Sequence, residues 1–316
     1  MLPVIALAGV VLLPFGGAGG VPDSGSFVSR TYQGPEGERH YKLFVPAGHD
    51  PRRPAPLIVY LHGCTQDPDD AARGTRLNAA AGEAGAPVVY PGQPEAAHPK
   101  KCWNWYETAH QARGAGEPAS IAAVTRAVAA EFRVDAARIY IGGISAGAAM
   151  AVLTAVAYPD LYAAVGTHAG LPWRPATGVA AALAAMKGPA ADFDAAAEAR
   201  RIAEAMGGHR RPLRLVAFHG GADAVVAPAG SRALADEFAA LAGAEARGPT
   251  ETRGATGGAD WVKHTWCDAR GRPMVEHWEV AGIGHALVGG DPAGTFTDAR
   301  GPDAAREMLR FFLARP

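Results

Sequence analysis

Short apolar runs alternate with helix-forming stretches through most of this chain. Leu57-Ile58-Val59-Tyr60-Leu61, Pro87-Val88-Val89-Tyr90-Pro91, Arg138-Ile139-Tyr140-Ile141-Gly142, Ala163–His168 and Leu213–Phe218 are continuous apolar segments bounded by glycine or proline. Such runs suit strands buried on both faces of a parallel sheet. Between them, Asp69–Ala84, Glu117–Phe132, Ala148–Ala157 and Ser231–Leu241 read as helices, and Gly301–Ala314 as a closing helix packed down by Phe311, Phe312 and Leu313. Pro118 stands near the start of its helix, where the missing N–H costs nothing, and Pro159 ends another. Phe27–Gln33 and His40–Val45 flank a Gly34-Pro35-Glu36-Gly37 turn and predict an antiparallel hairpin at a sheet edge. Val262–Cys267 and Met274–Val280 predict a second pair of strands around Asp268-Ala269-Arg270-Gly271, and the polar, glycine-rich stretch 243–260 reads as a loop.

Strands alternating with helices imply an α/β fold, with a mostly parallel central sheet covered by helices on both faces. Residues 26–316 are expected to form a single domain. The alanine-rich stretch 171–210, broken by Pro172, Pro175, Gly178 and Pro189, reads as a helical excursion that could cap the domain.

Composition narrows the possible functions. Among 316 residues, 48% are hydrophobic and only 19% charged, so a large core is available. The formal net charge is −1 with no basic block, which argues against nucleic acid as a partner. Residues 1–25 open with an apolar, uncharged run whose length matches the core of a signal peptide, followed by small residues. It contains Pro3 and Pro14, is short for a membrane span, and lacks a basic residue ahead of it. A secretory leader and an N-terminal segment docked on the domain are both compatible with it. Export to a secreted or periplasmic location is the expectation, without stable membrane insertion. Cys64, Cys102 and Cys267 show no C-x-x-C spacing, so no metal site is expected.

The chemistry concentrates at Gly143-Ile144-Ser145-Ala146-Gly147, between an apolar run and a strong helix former. This is the G-x-S-x-G pattern of a nucleophile elbow, in which a sharp strand-to-helix turn exposes a serine and small neighbours let the chains pass. A serine hydroxyl needs a base, and the base needs an orienting group. In α/β-hydrolases these follow in the order serine, acid, histidine. Asp223, in the loop after Leu213–Phe218, is the candidate acid; Asp268 and Asp291 are weaker rivals. Of the 11 histidines, His285 alone lies late in the chain on a glycine-flanked loop, Gly282-Ile283-Gly284-His285-Ala286. His62 and His219 precede glycine at strand ends and are expected to bond loop backbone, and His168 is expected to be structural. The developing oxyanion needs preorganised donors. The backbone N–H of Ala146 is one candidate, and that of Cys64 in His62-Gly63-Cys64-Thr65-Gln66 is the other, with Thr65 as its near rival.

Taken together, LHGCTQ at 61–66, CWNW at 102–105, RGAGEPASIAAV at 113–124, GISAG at 143–147, HGGAD at 219–223 and the segment 282–312 resemble the polyhydroxybutyrate depolymerase family of esterases. The resemblance spans about Ser29 to Phe312. It implies an α/β-hydrolase fold and hydrolysis of esters that include short-chain polyhydroxyalkanoates, and it carries the triad onto Ser145, Asp223 and His285. Cys64 and Cys102 stand in two of these motifs, flanking the presumed site, and are expected to pair as a disulfide; two packed thiols are the alternative. Trp103 and Trp105 are expected to contribute one indole to the acyl cleft. Three departures from the family pattern bear on substrate. Leu287 stands where many members have tryptophan after the histidine, and is expected to reshape the acyl pocket. Ala148 replaces a second glycine after the elbow. The polymer-binding module of secreted members has no counterpart in the chain, which favours soluble esters or oligomers over solid polymer.

The expected cycle is an acyl-enzyme mechanism on an ester substrate, with no metal or organic cofactor required. Polyhydroxybutyrate or its oligomers are the leading substrate expectation. A feruloyl or acetyl-xylan esterase is the closest rival, an aromatic polyester hydrolase the next, and a noncatalytic binding protein on the same fold the rival from another class.

Overall fold

The computed structural model describes residues 21–22, 24–244 and 247–314. The apolar segment 1–20 lies outside the described residues. Twelve strands and eight helices follow in chain order: β1 (Gly25–Gly34), β2 (Gly37–Pro46), β3 (Ala55–Leu61), α1 (Pro68–Thr75), α2 (Leu77–Glu83), β4 (Val88–Pro91), α3 (Gly116–Glu131), β5 (Val134–Ile144), α4 (Ala146–Ala157), β6 (Ala164–His168), α5 (Val179–Ala185), α6 (Ala195–Met206), β7 (Arg214–Gly220), α7 (Pro228–Leu241), β8 (Thr250–Thr256), β9 (Ala259–Cys267), β10 (Pro273–Val280), β11 (Leu287–Val288), β12 (Thr297–Asp298) and α8 (Ala304–Leu313).

The main sheet has ten strands in the order β1-β2-β4-β3-β5-β6-β7-β10-β9-β8. β4, β3, β5, β6, β7 and β10 are mutually parallel, and an antiparallel pair closes each edge. This is an α/β-hydrolase fold. The wholly apolar runs become the central strands for the expected reason: every residue of β3, β4, β6 and β7 is buried. One face packs α3, α4, α6 and α7 around Leu57, Ile141, Leu215 and Phe238. The other packs α1, α2 and α8 around Ile58, Tyr140, Val216 and Phe312. β3 leads to its neighbour β4 on one side and β5 leads to β6 on the other, so the order reverses between two adjacent strands. The carboxyl ends at such a switch point form a crevice, and here they carry the Cys64 loop and the Ser145 elbow.

Two elements differ from the sequence reading. The single helix expected over 69–84 is two helices, because Arg76 takes left-handed backbone angles (φ 54°, ψ 24°) between them. The bend presents Gly74 to the segment after the histidine, where the Asp291 N–H donates to the Gly74 carbonyl at 2.9 Å. The stretch 243–260, read as loop, holds strand β8, which turns at Gly257-Gly258 into β9. β8 is almost wholly exposed, so no apolar alternation marks it; pairing with β9 alone makes it a strand. In the excursion 171–210, α6 buries Ile202 and Met206 in the core shared with α7. α5 is tied at both ends: the Gly178 N–H donates to the Tyr106 carbonyl, and the Ala227 N–H to the Met186 carbonyl, each at 2.8 Å.

Candidate active site

Ser145 follows the last residue of β5 and precedes the first of α4. Its backbone sits at φ 56°, ψ −122°, a region a side-chain-bearing residue occupies only when its surroundings impose it. The flanking glycines show what imposes it. A Cβ on Gly143 would come within 2.6 Å of the Gly147 carbonyl oxygen, and one on Gly147 within 2.3 Å of the Leu61 carbonyl oxygen. The strand-to-helix turn is therefore jammed against the end of β3, and only glycine fits at either position. The Ser145 N–H donates to the His168 carbonyl at 2.9 Å, anchoring the turn to β6.

The structure brings Ser145, His285 and Asp223 into one hydrogen-bonded chain. The Ser145 hydroxyl lies 3.0 Å from His285 Nε2, and His285 Nδ1 lies 2.7 Å from Asp223 Oδ2. With Nδ1–H donating to the carboxylate, Nε2 is left as the acceptor facing the serine. The acid and histidine loops are sewn together by backbone bonds: the Gly221 N–H donates to the Val280 carbonyl at 2.8 Å and the Ala222 N–H to the Ile283 carbonyl at 2.9 Å. Asp223 Oδ1 accepts from the N–H groups of Val225 and Val226 at 2.8 and 2.9 Å. Burial alone would raise the Asp223 pKa; hydrogen bonds from His219, His285 and the Val226 amide outweigh it and hold the carboxyl well below the usual carboxylate range. The carboxylate is thus charged at neutral pH, the state that stabilises an imidazolium. Asp268, one rival acid, instead closes its own turn with Arg270 and Arg272, and Asp291 caps the turn to Ala293.

The oxyanion-side geometry separates the two rival amides. The Thr65 N–H donates to the Lys100 carbonyl at 2.6 Å and is committed there. Among the described residues, neither the Cys64 nor the Ala146 N–H has an acceptor. Cys64 is bonded to Cys102, tying this loop to the aromatic loop. Gln66 fixes the loop from inside: its Oε1 accepts from the Gly63 N–H at 2.8 Å, and its Nε2 donates to Asp70 Oδ2 and the Thr295 carbonyl, each at 3.0 Å. His62 bonds loop backbone as expected, with Nδ1 to the Gly63 carbonyl and Nε2 accepting from the Gln93 N–H. Burial pushes its pKa down to about 4, so it stays neutral.

The expected acyl-cleft residues need correction. Trp103 is fully buried, and its indole N–H donates to the His62 carbonyl at 3.0 Å, so it is core of the aromatic loop. Leu287 is 1% exposed and packs in the core beneath the site with Ile144, Ala304 and Met308. Trp105 is also buried, edge-on to Tyr106. Water exclusion favours packing these large apolar groups inward, and the indole N–H of Trp103 finds its acceptor there. The apolar residues exposed beside the triad are others. Phe296 is 46% exposed, with its ring 6.3 Å from that of His285, and Val225, also 46% exposed, follows two residues after Asp223. Sequence reading missed both, and also missed Gln66. Only the motif position of Gln66, three residues after Gly63, hinted at a loop brace.

Residues 39–258 match the family model described as esterase PHB depolymerase. The chain belongs to that family. Poly(3-hydroxyalkanoate) depolymerase C of Paucimonas lemoignei is 32% identical over 232 residues, 73% of this chain and 55% of that protein. The chain thus spans about half the length of that relative. Acetylxylan esterase A of Aspergillus oryzae is 26% identical over 245 residues, 73% of this chain and 75% of that protein. An acetyl xylan esterase structure from Aspergillus awamori shares the fold, with a TM-score of 0.70, 20% identity and coverage of 91% of this chain and 99% of that one. Membership places the chain in a family of the serine-hydrolase, esterase-type fold. No helix among the described residues is long and apolar enough to cross a membrane.

Proposed function

We propose that this chain is a serine esterase that removes acyl groups from polysaccharide esters of the acetyl-xylan or feruloyl type, through an acyl-enzyme on Ser145. The observation that carries ester hydrolysis is the Ser145–His285–Asp223 hydrogen-bond chain, with the serine held at φ 56°. His285 Nε2 takes the hydroxyl proton as Ser145 Oγ attacks the carbonyl carbon. The oxyanion is received by the N–H groups of Ala146 and Cys64, whose preorganisation is worth about 3–4 kcal/mol in the barrier. Collapse breaks the ester C–O bond, and His285 returns the proton to the leaving alcohol. A water molecule, deprotonated by His285, then releases the acid and restores Ser145.

The acetylxylan esterase relatives, which align with most of their own length, support the polysaccharide reading. A second reading, short-chain polyhydroxyalkanoate or its oligomers, draws on the Paucimonas lemoignei relative and on the exposed apolar Val225 and Phe296 beside the triad. α5, with Val179 and Leu183 exposed on one face and its ends tied to the Tyr106 and Ala227 backbones, would serve either substrate as a cap wall. A secreted or periplasmic location fits the Cys64–Cys102 disulfide, since such bonds persist in oxidising compartments.

The test compares acetylated xylan, feruloyl esters, hydroxybutyrate oligomers and p-nitrophenyl acetate, with wild type beside Ser145→Ala. Wild type is expected to cleave p-nitrophenyl acetate and to deacylate the polysaccharide esters fastest. Ser145→Ala should lose at least about 10⁴-fold in kcat with its Tm unchanged, and should no longer be labelled by a fluorophosphonate. Substantial turnover by that variant would sink the assignment. A preference for hydroxybutyrate oligomers would replace the first substrate reading by the second.

A further inference from the structure

Asp223 faces two imidazoles. We propose that His219 is a positioning residue for the reaction: from inside the sheet it holds Asp223 Oδ2 in the orientation that His285 requires. The inference rests on the triad reading above. His219 is a residue of β7, with its side chain fully buried. Its Nε2 lies 2.9 Å from the Val226 carbonyl oxygen and 3.2 Å from Asp223 Oδ2. Both neighbours are acceptors, so Nε2 must carry the hydrogen and share it between them. The expectation that His219 bonds loop backbone therefore describes half of its role.

The acceptor sites of Asp223 are then filled symmetrically. Oδ1 takes two backbone amides and Oδ2 takes two imidazoles. A carboxylate held only through Oδ1 and one mobile partner can rotate about its Cβ–Cγ bond. A second donor on Oδ2, rooted in a central strand, removes that freedom. By clamping the Val226 carbonyl as well, the same N–H fixes the turn that supplies the Oδ1 amides.

The surroundings of His219 keep it in this state. The titratable groups facing it are Asp223 and His285 from the loops and His277 from β10; His168 of β6 stacks on Phe218, on the opposite face of the sheet. The ring of His277 lies on the His219 side of the sheet, one strand over, opposite Ala217. Burial holds the pKa values of His168 and His277 down to about 3, so neither competes as a cation for Asp223. Among the described residues, Nδ1 of His219 is buried and has no hydrogen-bond partner.

The test uses p-nitrophenyl acetate and the fluorophosphonate labelling rate, both independent of the natural substrate. His219→Leu removes the donor. His219→Gln keeps an N–H near the Nε2 position. His219→Leu is expected to lower kcat about 10- to 100-fold, the consequence of one lost charged hydrogen bond, with KM within about twofold. The acid limb of its kcat/KM profile should move, because the carboxylate that faces His285 has then lost a donor and its fixed orientation. His219→Gln should recover most of kcat and return the limb towards wild type. Wild-type kcat and an unmoved limb in His219→Leu would overturn the proposal. If His219→Leu does not fold, His219→Asn, too short to reach Asp223, replaces it; equal kcat in the Asn and Gln variants would likewise overturn it. Failure of wild type itself to label at Ser145 would count against the triad, and so is distinguishable from failure of the His219 inference.

Discussion

Asp223 and Glu117 are both buried carboxylates, 7% and 3% exposed, and each is surrounded by donors. Glu117 Oε1 accepts from Gln93 Nε2 at 2.5 Å and from Asn104 Nδ2 at 2.8 Å, and Oε2 accepts from the Asn104 N–H at 2.8 Å. All of these are amides, which neither take up nor release protons near neutral pH. They pull residues 93 and 104 onto the start of α3 and so fix the aromatic loop. Asp223 has amides on one oxygen only. The other faces two imidazoles, and the second nitrogen of one of them meets the Ser145 hydroxyl. Burial and saturation alone therefore make a brace. A titratable donor with a free second nitrogen, on a partly exposed loop, turns the same arrangement into a proton-handling site.

The comparison breaks most sharply at the tautomer. Asp223→Asn keeps shape and neutralises charge, so the kcat of the folded enzyme should fall by about 10⁴, beyond what any loss of stability explains, as judged by steady-state kinetics and melting on one preparation. Loss confined to KM would show that Asp223 is a brace like Glu117. The loop that Glu117 holds is also held by the Cys64–Cys102 bond, which closes a 38-residue separation. Replacing both cysteines by alanine should cost up to about 4 kcal/mol in denaturant unfolding, by the chain-entropy model. Glu117→Ala strands buried donors and should cost about 3 kcal/mol of stability, with less than about a tenfold change in the kcat of folded enzyme. A larger loss of kcat than of stability would move Glu117 to the functional side of the comparison.

Acid stability sharpens the contrast last. The folded-state pKa of Asp223 lies below its unfolded value of about 4, so the stability it contributes is complete above that pH and is lost as pH falls toward the folded value. The urea midpoint of wild type should decline below about pH 4, and that of Asp223→Asn should decline less over the same window.

What could be read from the residues follows from how local each requirement is. The elbow was legible because its steric demand falls within five residues, Gly143 to Gly147. The buried parallel strands were legible because burial on both faces leaves an unbroken apolar run. β8 was not, since an exposed edge strand of threonine, glutamate and arginine carries no burial signal. The break at Arg76 was hidden because it serves a distant partner, the segment around Asp291. Trp103 and Leu287 misled because a large apolar residue beside a motif looks the same whether it faces a cleft or the core.

Ser145, Asp223 and His285 in that order, on loops after predicted strands, were determined by sequence alone, as was the α/β layering, because backbone sterics and hydrophobic periodicity act over a few residues. Tertiary structure decided which amides remain uncommitted at Cys64 and Ala146, which apolar side chains stay exposed at Val225 and Phe296, and that His219 reaches Asp223 from behind. Each of these depends on what lies across the sheet or the next loop, and a hydrogen bond or a buried surface exists only once both partners are in place.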